Sequence, residues 1–195
     1  MRRIETARLD LRPLGPDDLA LMHRMWNDPL VGRYLCDGES VSVETAGAWL
    51  DRSARDFSER GLGLFGVRLR GERNLIGFCG FLPVEALGEQ EVMYGLSPEW
   101  WGRGLATEAA EGCLRFAFEE AGLGRVLAGA DEPNTASLRV IKKLGMKYVG
   151  KILPTAPEVP YFALTREEFD RRRKRDGSLV AGPCVIGHPA RWVCA

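Results

Sequence analysis

The sequence predicts a single α/β domain in which helices cover a mixed sheet. Three observations carry that reading. Apolar runs of strand length alternate with amphipathic stretches of helical period, in the order βααβββαβαββ. Two of the strand runs are separated only by a short polar turn, which makes an antiparallel hairpin. The composition, 45% hydrophobic and 28% charged over 195 residues, is that of a globular chain able to bury a core without staples.

Taken in order, Arg8 to Pro13 alternates polar and apolar residues like a half-buried strand. Pro16-Asp-Asp opens an amphipathic helix that runs to Trp26 and is ended by Asn27-Asp-Pro29. A loop with Arg33, Tyr34 and Cys36 follows. Ser42 then caps a second helix carrying Trp49, Leu50 and Phe57, which stops at Gly61. Leu64 to Leu69 and Leu75 to Leu82 form the hairpin around Arg70-Gly-Glu-Arg-Asn74, and Glu91 to Leu96 is the next strand. From Gly104 to about Ala121, Leu105, Ala109, Cys113 and Phe116 or Ala117 share one helical face, opposite Glu108, Glu111, Arg115 and Glu119. Val126 to Ala130 is a short strand, Asn134 to Leu144 a capped helix ending at Gly145, and Met146 to Leu153 and Val159 to Leu164 are two further strands. Residues 1–170 make up the domain. Residues 171–195, with the charge run Asp170 to Asp176 and then Cys184, Pro189 and Trp192, are a tail without assigned structure.

Bulk properties narrow the function classes. Lys plus Arg number 27 and Asp plus Glu 27, so no global field draws the chain onto nucleic acid or an anionic bilayer. The Arg171 to Arg175 run reads as a solvated helix end, with RNA or an acidic partner as the alternative contact. Cys36, Cys79, Cys113, Cys184 and Cys194 are widely spaced, without a CxxC pair, and read as free thiols in a reducing cytosol and not as a metal site. The charged N-terminus lacks the apolar stretch of a signal peptide, and no apolar run reaches membrane-spanning length. A cytoplasmic protein, monomeric or homodimeric, is expected.

The chemistry concentrates in Ser97-Pro-Glu-Trp-Trp-Gly-Arg-Gly-Leu-Ala-Thr-Glu-Ala109, where a strand passes through a glycine-rich turn into a helix. Gly102 and Gly104 carry no side chain to block a ligand, and the positive end of the helix faces the same point, so a pyrophosphate is the natural guest. Tight turns before helices also use glycine for conformation alone. No Gly-Lys-Ser/Thr follows, which excludes a P-loop, and the glycine pair follows an apparent hairpin and not the opening βαβ unit of a dinucleotide-binding fold. The second segment is Asn134-Thr-Ala-Ser-Leu-Arg-Val-Ile-Lys-Lys-Leu-Gly-Met146. Capping accounts for Asn134 and Gly145 and leaves Ser137 without a role.

Together these two segments resemble the GNAT acetyltransferases, in particular the branch of the ribosomal-protein alanine N-acetyltransferases. The likeness extends to Thr6-Ala-Arg-Leu-Asp-Leu-Arg-Pro13, Asn27-Asp-Pro-Leu-Val31, Leu75-Ile-Gly-Phe-Cys-Gly80 and Tyr161-Phe-Ala-Leu-Thr-Arg-Glu-Glu-Phe169, from about residue 4 to 170. It implies the GNAT fold: a central, mostly antiparallel sheet of six to seven strands, about four helices, and a cleft for acyl-coenzyme A where the fourth and fifth strands splay apart. The family's Gln/Arg-x-x-Gly-x-Gly/Ala signature falls on Trp101-Gly-Arg-Gly-Leu-Ala106, with Trp101 where many members carry Gln or Arg.

The resemblance then implies residue roles. Tyr94, Gly95 and Leu96 pair with pantetheine, and Trp101, Gly102, Arg103, Gly104, Leu105, Ala106 and Thr107 form the pyrophosphate turn, with Asn134 and Ser137 also at the cofactor. Ser137 is the hydroxyl near the sulfur and Asn134 the orienting amide. Acyl transfer to an amine needs a neutral nucleophile, a stabilised oxyanion and a proton for the leaving thiolate. Ser137 has no adjacent His and is not read as a nucleophile. For the base the chain offers Glu91, preferred, and Glu158; an ordinary strand-end ion pair is the other reading of Glu91. Trp26, Asn27, Arg33 and Tyr34 are candidates for gripping substrate, Trp26 equally as core and His23 as a surface residue. Acetyl-coenzyme A is the expected cofactor, with no metal, and the acceptor is a small-molecule amine or a protein N-terminus. The alternatives are an aminoglycoside- or polyamine-type enzyme with an acidic cleft around Asp28, Asp37 and Glu39, and a non-catalytic acyl-coenzyme A binding module.

Overall fold

The computed structural model describes residues 2–35 and 38–175. Cys36, Asp37, Asp176, Cys184, Pro189, Trp192 and Cys194, all named above, lie outside the described residues. Strands β1 (Ile4–Glu5), β2 (Leu9–Pro13), β3 (Leu64–Leu69), β4 (Leu75–Val84), β5 (Glu89–Leu96), β6 (Arg125–Gly129), β7 (Lys147–Gly150) and β8 (Tyr161–Thr165) form one sheet in the order β1-β2-β3-β4-β5-β6-β8-β7. The helices are α1 (Leu19–Trp26), α2 (Pro29–Leu35), α3 (Val43–Glu59), α4 (Leu105–Glu119), α5 (Thr135–Lys143) and α6 (Arg166–Arg175).

The strand expected first is therefore β2, and the expected splayed pair is β5 and β6. The additional strand is β1, whose two residues are too short to show a period and form a strand only because Ile4 and Glu5 pair with Leu11 and Asp10. Two additional helices have equally local reasons. The segment around Arg33 and Tyr34, expected as loop, is helix α2. Pro29, read as the end of one helix, is the first residue of the next, where its missing N–H costs nothing. Asp28 starts that helix, its carboxylate accepting from the Leu30 amide at 2.9 Å. In α6 the charge run hides a helix with one buried apolar residue, Phe169, too few for a stripe.

Where the sequence signal was strong, chemistry explains the match. The Ser42 hydroxyl accepts from the Thr45 amide at 3.1 Å and starts α3. Gly145, at φ +76°, ends α5, with its amide on the Lys142 carbonyl and that of Met146 on the Ile141 carbonyl. The expected face of α4 is buried against the sheet, and Leu114 and Phe118 are buried with it. Its charged face is a docking surface: Glu108 accepts from the Thr6 hydroxyl, Arg115 donates to the Glu5 carbonyl, and Arg172 and Arg173 of α6 reach Glu111 and Glu119.

The sheet separates two apolar layers. One lies under α4 and α5 and contains Phe65, Val92, Leu96 and Cys113; the other lies under α1 to α3 and contains Trp26, Leu50 and Phe78. Each fully buried Leu or Phe contributes about 1.5–3 kcal/mol to holding these layers together. Cys79 and Cys113 are free and buried, and burial pushes the Cys113 thiol well up. Among the described residues no helix is long and apolar enough to cross a membrane, and no cluster of three metal-ligating side chains occurs.

Candidate active site

The site begins where the sheet stops being continuous. β5 pairs with β4 along its whole length, yet its parallel pairing with β6 is the single register pair Glu91 with Leu127. Beyond Val92 the edge of β5 that faces β6 is without strand partners; backbone groups alternate along a strand, so Tyr94 and Leu96 turn theirs to this edge, while Gly95 between them turns its groups toward β4. Loss of a ladder would strand buried backbone groups unless something else supplies hydrogen bonds.

At the open end of this gap the chain turns through Trp101 to Gly104 into α4. Gly102 and Gly104 adopt φ of +74° and +75°, the left-handed region where a side chain is disfavoured. A Cβ at Gly102 would meet open space. Gly104 is the N-cap of α4 and supplies no side-chain cap, so the first amides of the helix lack an acceptor of their own. The turn is braced from behind: Arg8 donates to the Arg103 carbonyl at 3.0 Å and pairs with Glu108 at 2.6 Å. Exposed Trp101 donates its indole N–H to the Leu96 carbonyl at 2.7 Å, tying the turn to the end of β5, and the Arg103 guanidinium lies over the Trp100 ring at 4.8 Å. Ala106 and Thr107 complete the first turn of α4. Open amides, bare glycines, two nearby guanidinium groups and a helix N-terminus suit a diphosphate.

Two sets of polar groups approach the gap from opposite faces of the sheet. On the α1 to α3 face, one Glu91 carboxylate oxygen accepts from the Gly129 amide at 2.7 Å and the other from the Tyr161 hydroxyl at 3.5 Å. Glu91 thus replaces, with its side chain, a bond that the splayed backbones no longer make. Burial raises its pKa above the ordinary 4.5, and those two donors offset only part of that rise. On the α4 and α5 face, the Tyr94 hydroxyl lies 2.9 Å from Ser137 Oγ and donates to the Ser137 carbonyl at 3.2 Å. Burial raises the Tyr94 pKa to about 12, so the phenol keeps its proton. Ser137 is half-buried and not solvent-facing, and Asn134 caps α5 by accepting from the Ser137 amide at 3.1 Å.

The remaining candidates are spread out. Trp26 is buried in the α1 to α3 layer, edge-on to Phe78. Asn27 uses its amide on the His23 carbonyl and on both backbone groups of Val41, holding α1 to the approach of α3. The Tyr34 hydroxyl donates to the Pro133 carbonyl at 3.4 Å, linking α2 to the segment before α5, and Arg33 lies exposed over the Tyr34 ring. His23 also contacts the Val41 carbonyl, at 2.9 Å. Glu158 and Glu39 are exposed, and Asp28 is committed to starting α2. Sequence reasoning did not find Tyr161, Arg8 or the Tyr94 to Ser137 bond. No local signal marks them, because each partner is distant along the chain.

A glycine turn at a helix start beside a split in a sheet is the feature on which comparison with known proteins decides. The family described as the acetyltransferase (GNAT) domain matches residues 8–147. The chain belongs to this family. It is therefore an acetyltransferase of the GNAT class, and its fold is the one the resemblance implied, with eight strands. An uncharacterised N-acetyltransferase of Bacillus subtilis, YnaD, is 31% identical over 173 residues, covering 86% of this chain and 99% of that protein. The FsC-acetyl coenzyme A-N(2)-transacetylase of Aspergillus fumigatus is 32% identical over 194 residues, covering 88% of this chain and 79% of that protein. Among solved structures, a GNAT-family acetyltransferase of Bacillus anthracis aligns with a TM-score of 0.69 at 28% identity, over 85% of this chain and 99% of that one.

Proposed function

We propose that this GNAT acetyltransferase moves an acetyl group from acetyl-coenzyme A to a primary amine by direct attack, the amine belonging to a small molecule or a protein N-terminus. The observation that carries the reading is the single-pair junction of β5 and β6, with Glu91 and Ser137 reaching it from opposite faces. The coenzyme, when bound, supplies the acetyl thioester. Amides of Gly102 to Ala106 hold its diphosphate, with Arg103 and Thr107 beside them, and the free edge of β5 at Tyr94 and Leu96, with Gly95 between them, receives the amide-bearing arm. Asn134 orients that arm through the side-chain N–H₂ left over after capping.

Glu91 is the base. Burial makes this carboxylate more basic than an ordinary one, and its position at the junction lets it take a proton from the incoming ammonium or from the attacking nitrogen. Ser137, held by Tyr94, hydrogen-bonds the departing thiolate on the opposite side; the thiolate takes its proton from solvent, and the proton taken up by Glu91 returns there. Neither group needs to become covalently attached, since an amine attacks a thioester unaided once it is neutral and aligned. Support for the amine acceptor comes from the relatives, two of which are named for acetyl transfer to nitrogen.

The test is calorimetric titration with coenzyme A, followed by thiol release from acetyl-coenzyme A across a panel of amines and peptides. Saturable uptake with amine-dependent thiol release is expected. Failure of uptake overturns the reading, and uptake with no turnover on any amine reduces it to a binding module.

A further inference from the structure

On the α1 to α3 face of the sheet a pocket of about 230 Å³ opens beside the junction. Its floor is Phe78, Leu82 and Met93, and its walls are Trp26, Trp49 and Leu35. In the β4 and β5 register Leu82 is the direct partner of Glu91, so the two side chains share a face with Cβ atoms about 5 Å apart. Met93 lies two residues further along the same face. Two residues that line the pocket, Leu82 and Met93, are thus neighbours of the candidate base on the same face of the sheet.

The walls are aromatic and already ordered. Trp26 stands edge-on to Trp49 at 5.1 Å and to Phe78 at 6.1 Å, a corner of three rings. An apolar cavity of roughly 150 Å³ admits benzene, so this one accommodates a single ring with a short linker. Among the described residues lining the pocket Arg52 is the one that is charged, and its ion-pair partners Asp56 and Glu85 are shared between Arg52 and Arg60. Among the described residues, the lining offers a second cationic centre on an acceptor no carboxylate and a guanidinium group instead.

Resting on the function proposed above, we propose that this pocket receives the aromatic ring of an aryl-alkyl primary amine whose nitrogen then lies at Glu91, and that it rejects polyamines. The ring comes either from a free amine or from an aromatic first residue of a peptide. The pocket supplies the same chemistry for both.

The first measurement needs no coenzyme. Phenethylamine titrated into the full chain should give a saturable change in tryptophan emission, because Trp26 and Trp49 form the wall, while ethylamine and spermidine should not. Leu82→Phe, which fills the floor, should weaken that binding about tenfold or more. With acetyl-coenzyme A present, kcat/KM for phenethylamine should exceed that for ethylamine by about a hundredfold or more, with spermidine no better than ethylamine. Arg52→Gln, which removes the guanidinium from the pocket lining, should narrow the deficit of spermidine relative to ethylamine. A tripeptide beginning with Phe that outperforms phenethylamine assigns the ring to a chain terminus, and the reverse assigns it to a free amine; both support the pocket. Absence of saturable phenethylamine binding, a preference for spermidine, or a phenethylamine to ethylamine ratio near one overturns it. If thiol release fails with every amine, the acetylation reading falls, whereas the emission titration still decides the pocket.

Discussion

Along its edge facing β4, strand β5 is paired at every position from Glu89 to Leu96, whereas along its edge facing β6 the register holds one pair, Glu91 with Leu127. The same residues therefore serve two purposes. Toward β4 they close a core; toward β6 they leave backbone groups without strand partners. The closed side is stabilised by packing of large side chains, among them Phe65 edge-on to Phe57 and Phe116. The open side is held by a few polar contacts of side chains: Glu91 on Gly129, Tyr94 on Ser137, and Trp101 on Leu96. Packing is strong and indifferent to ligand, while a handful of hydrogen bonds keeps a gap open without filling it.

This contrast can be broken most severely from the closed side. Phe65→Ala should lower unfolding stability by about 3–5 kcal/mol in denaturant titration, since two rings, Phe57 and Phe116, lose their common partner. Coenzyme affinity per folded molecule should be little changed, and an equal loss on both counts would mean that the two edges are not separable.

On the open side Glu91→Gln keeps the shape and an acceptor for the Gly129 amide but cannot take a proton. Turnover should fall by about 10²-fold or more. In the unaltered protein the rate should decline on acidification with a midpoint above 4.5, because the folded pKa is raised by burial. A variant as active as the parent would exclude Glu91 as base. The same raised pKa has a stability consequence of fixed sign: the neutral form is favoured by folding, so that contribution is complete at low pH and disappears as pH rises through the folded value.

Gly104→Glu places a charge where the diphosphate is proposed and forces a side chain onto φ +75°. Coenzyme A affinity should drop by about a hundredfold in calorimetry, while Gly104→Ala, which shares only the backbone strain of about 1–2 kcal/mol, should lose far less. Similar affinities for both variants would remove the turn from the site. Ser137→Ala should lower kcat by about tenfold and leave coenzyme affinity unchanged, a modest effect because a thiolate departs with little help from a proton.

The smallest effect belongs to the edge of the closed half. Burial would raise the pKa of Asp10, but hydrogen bonds from Arg3 and Arg12 outweigh it and hold the carboxyl below its usual range. A depressed folded pKa gives stability that is present above the unfolded value and lost as pH falls through the folded one. Asp10→Asn should therefore cost about 1 kcal/mol at neutral pH, and the difference from the parent should vanish in strong acid.

Much of this architecture was legible from residues near one another in the chain. Caps at Ser42 and Asn134, the stop at Gly145, the hairpin and the apolar face of α4 all depend on partners within a few residues, where sequence spacing and spatial distance agree. The misreadings share a cause. Pro29 is chemically as suitable for beginning a helix as for ending one, and the choice was made by Asp28. The charged face of α4 gave no sign of what it docks, because its partners, Thr6, Glu5 and α6, are remote in sequence. In the site, Asn134 and Ser137 were identifiable from a motif, but the partner of Ser137 is Tyr94, 43 residues earlier, and Glu91 meets Gly129 and Tyr161 at separations of 38 and 70.

By itself, then, the order of residues determined the periods, the caps and the glycine turn, because those are set by backbone sterics and by hydrogen bonds within a single helical turn or hairpin. Tertiary structure alone decided that β5 and β6 separate after one pair, that a carboxylate and a hydroxyl meet the gap from opposite faces, and that three aromatic rings form a pocket near Glu91. These depend on strand register and on which face of the sheet each side chain takes, and register is settled only when whole layers pack together.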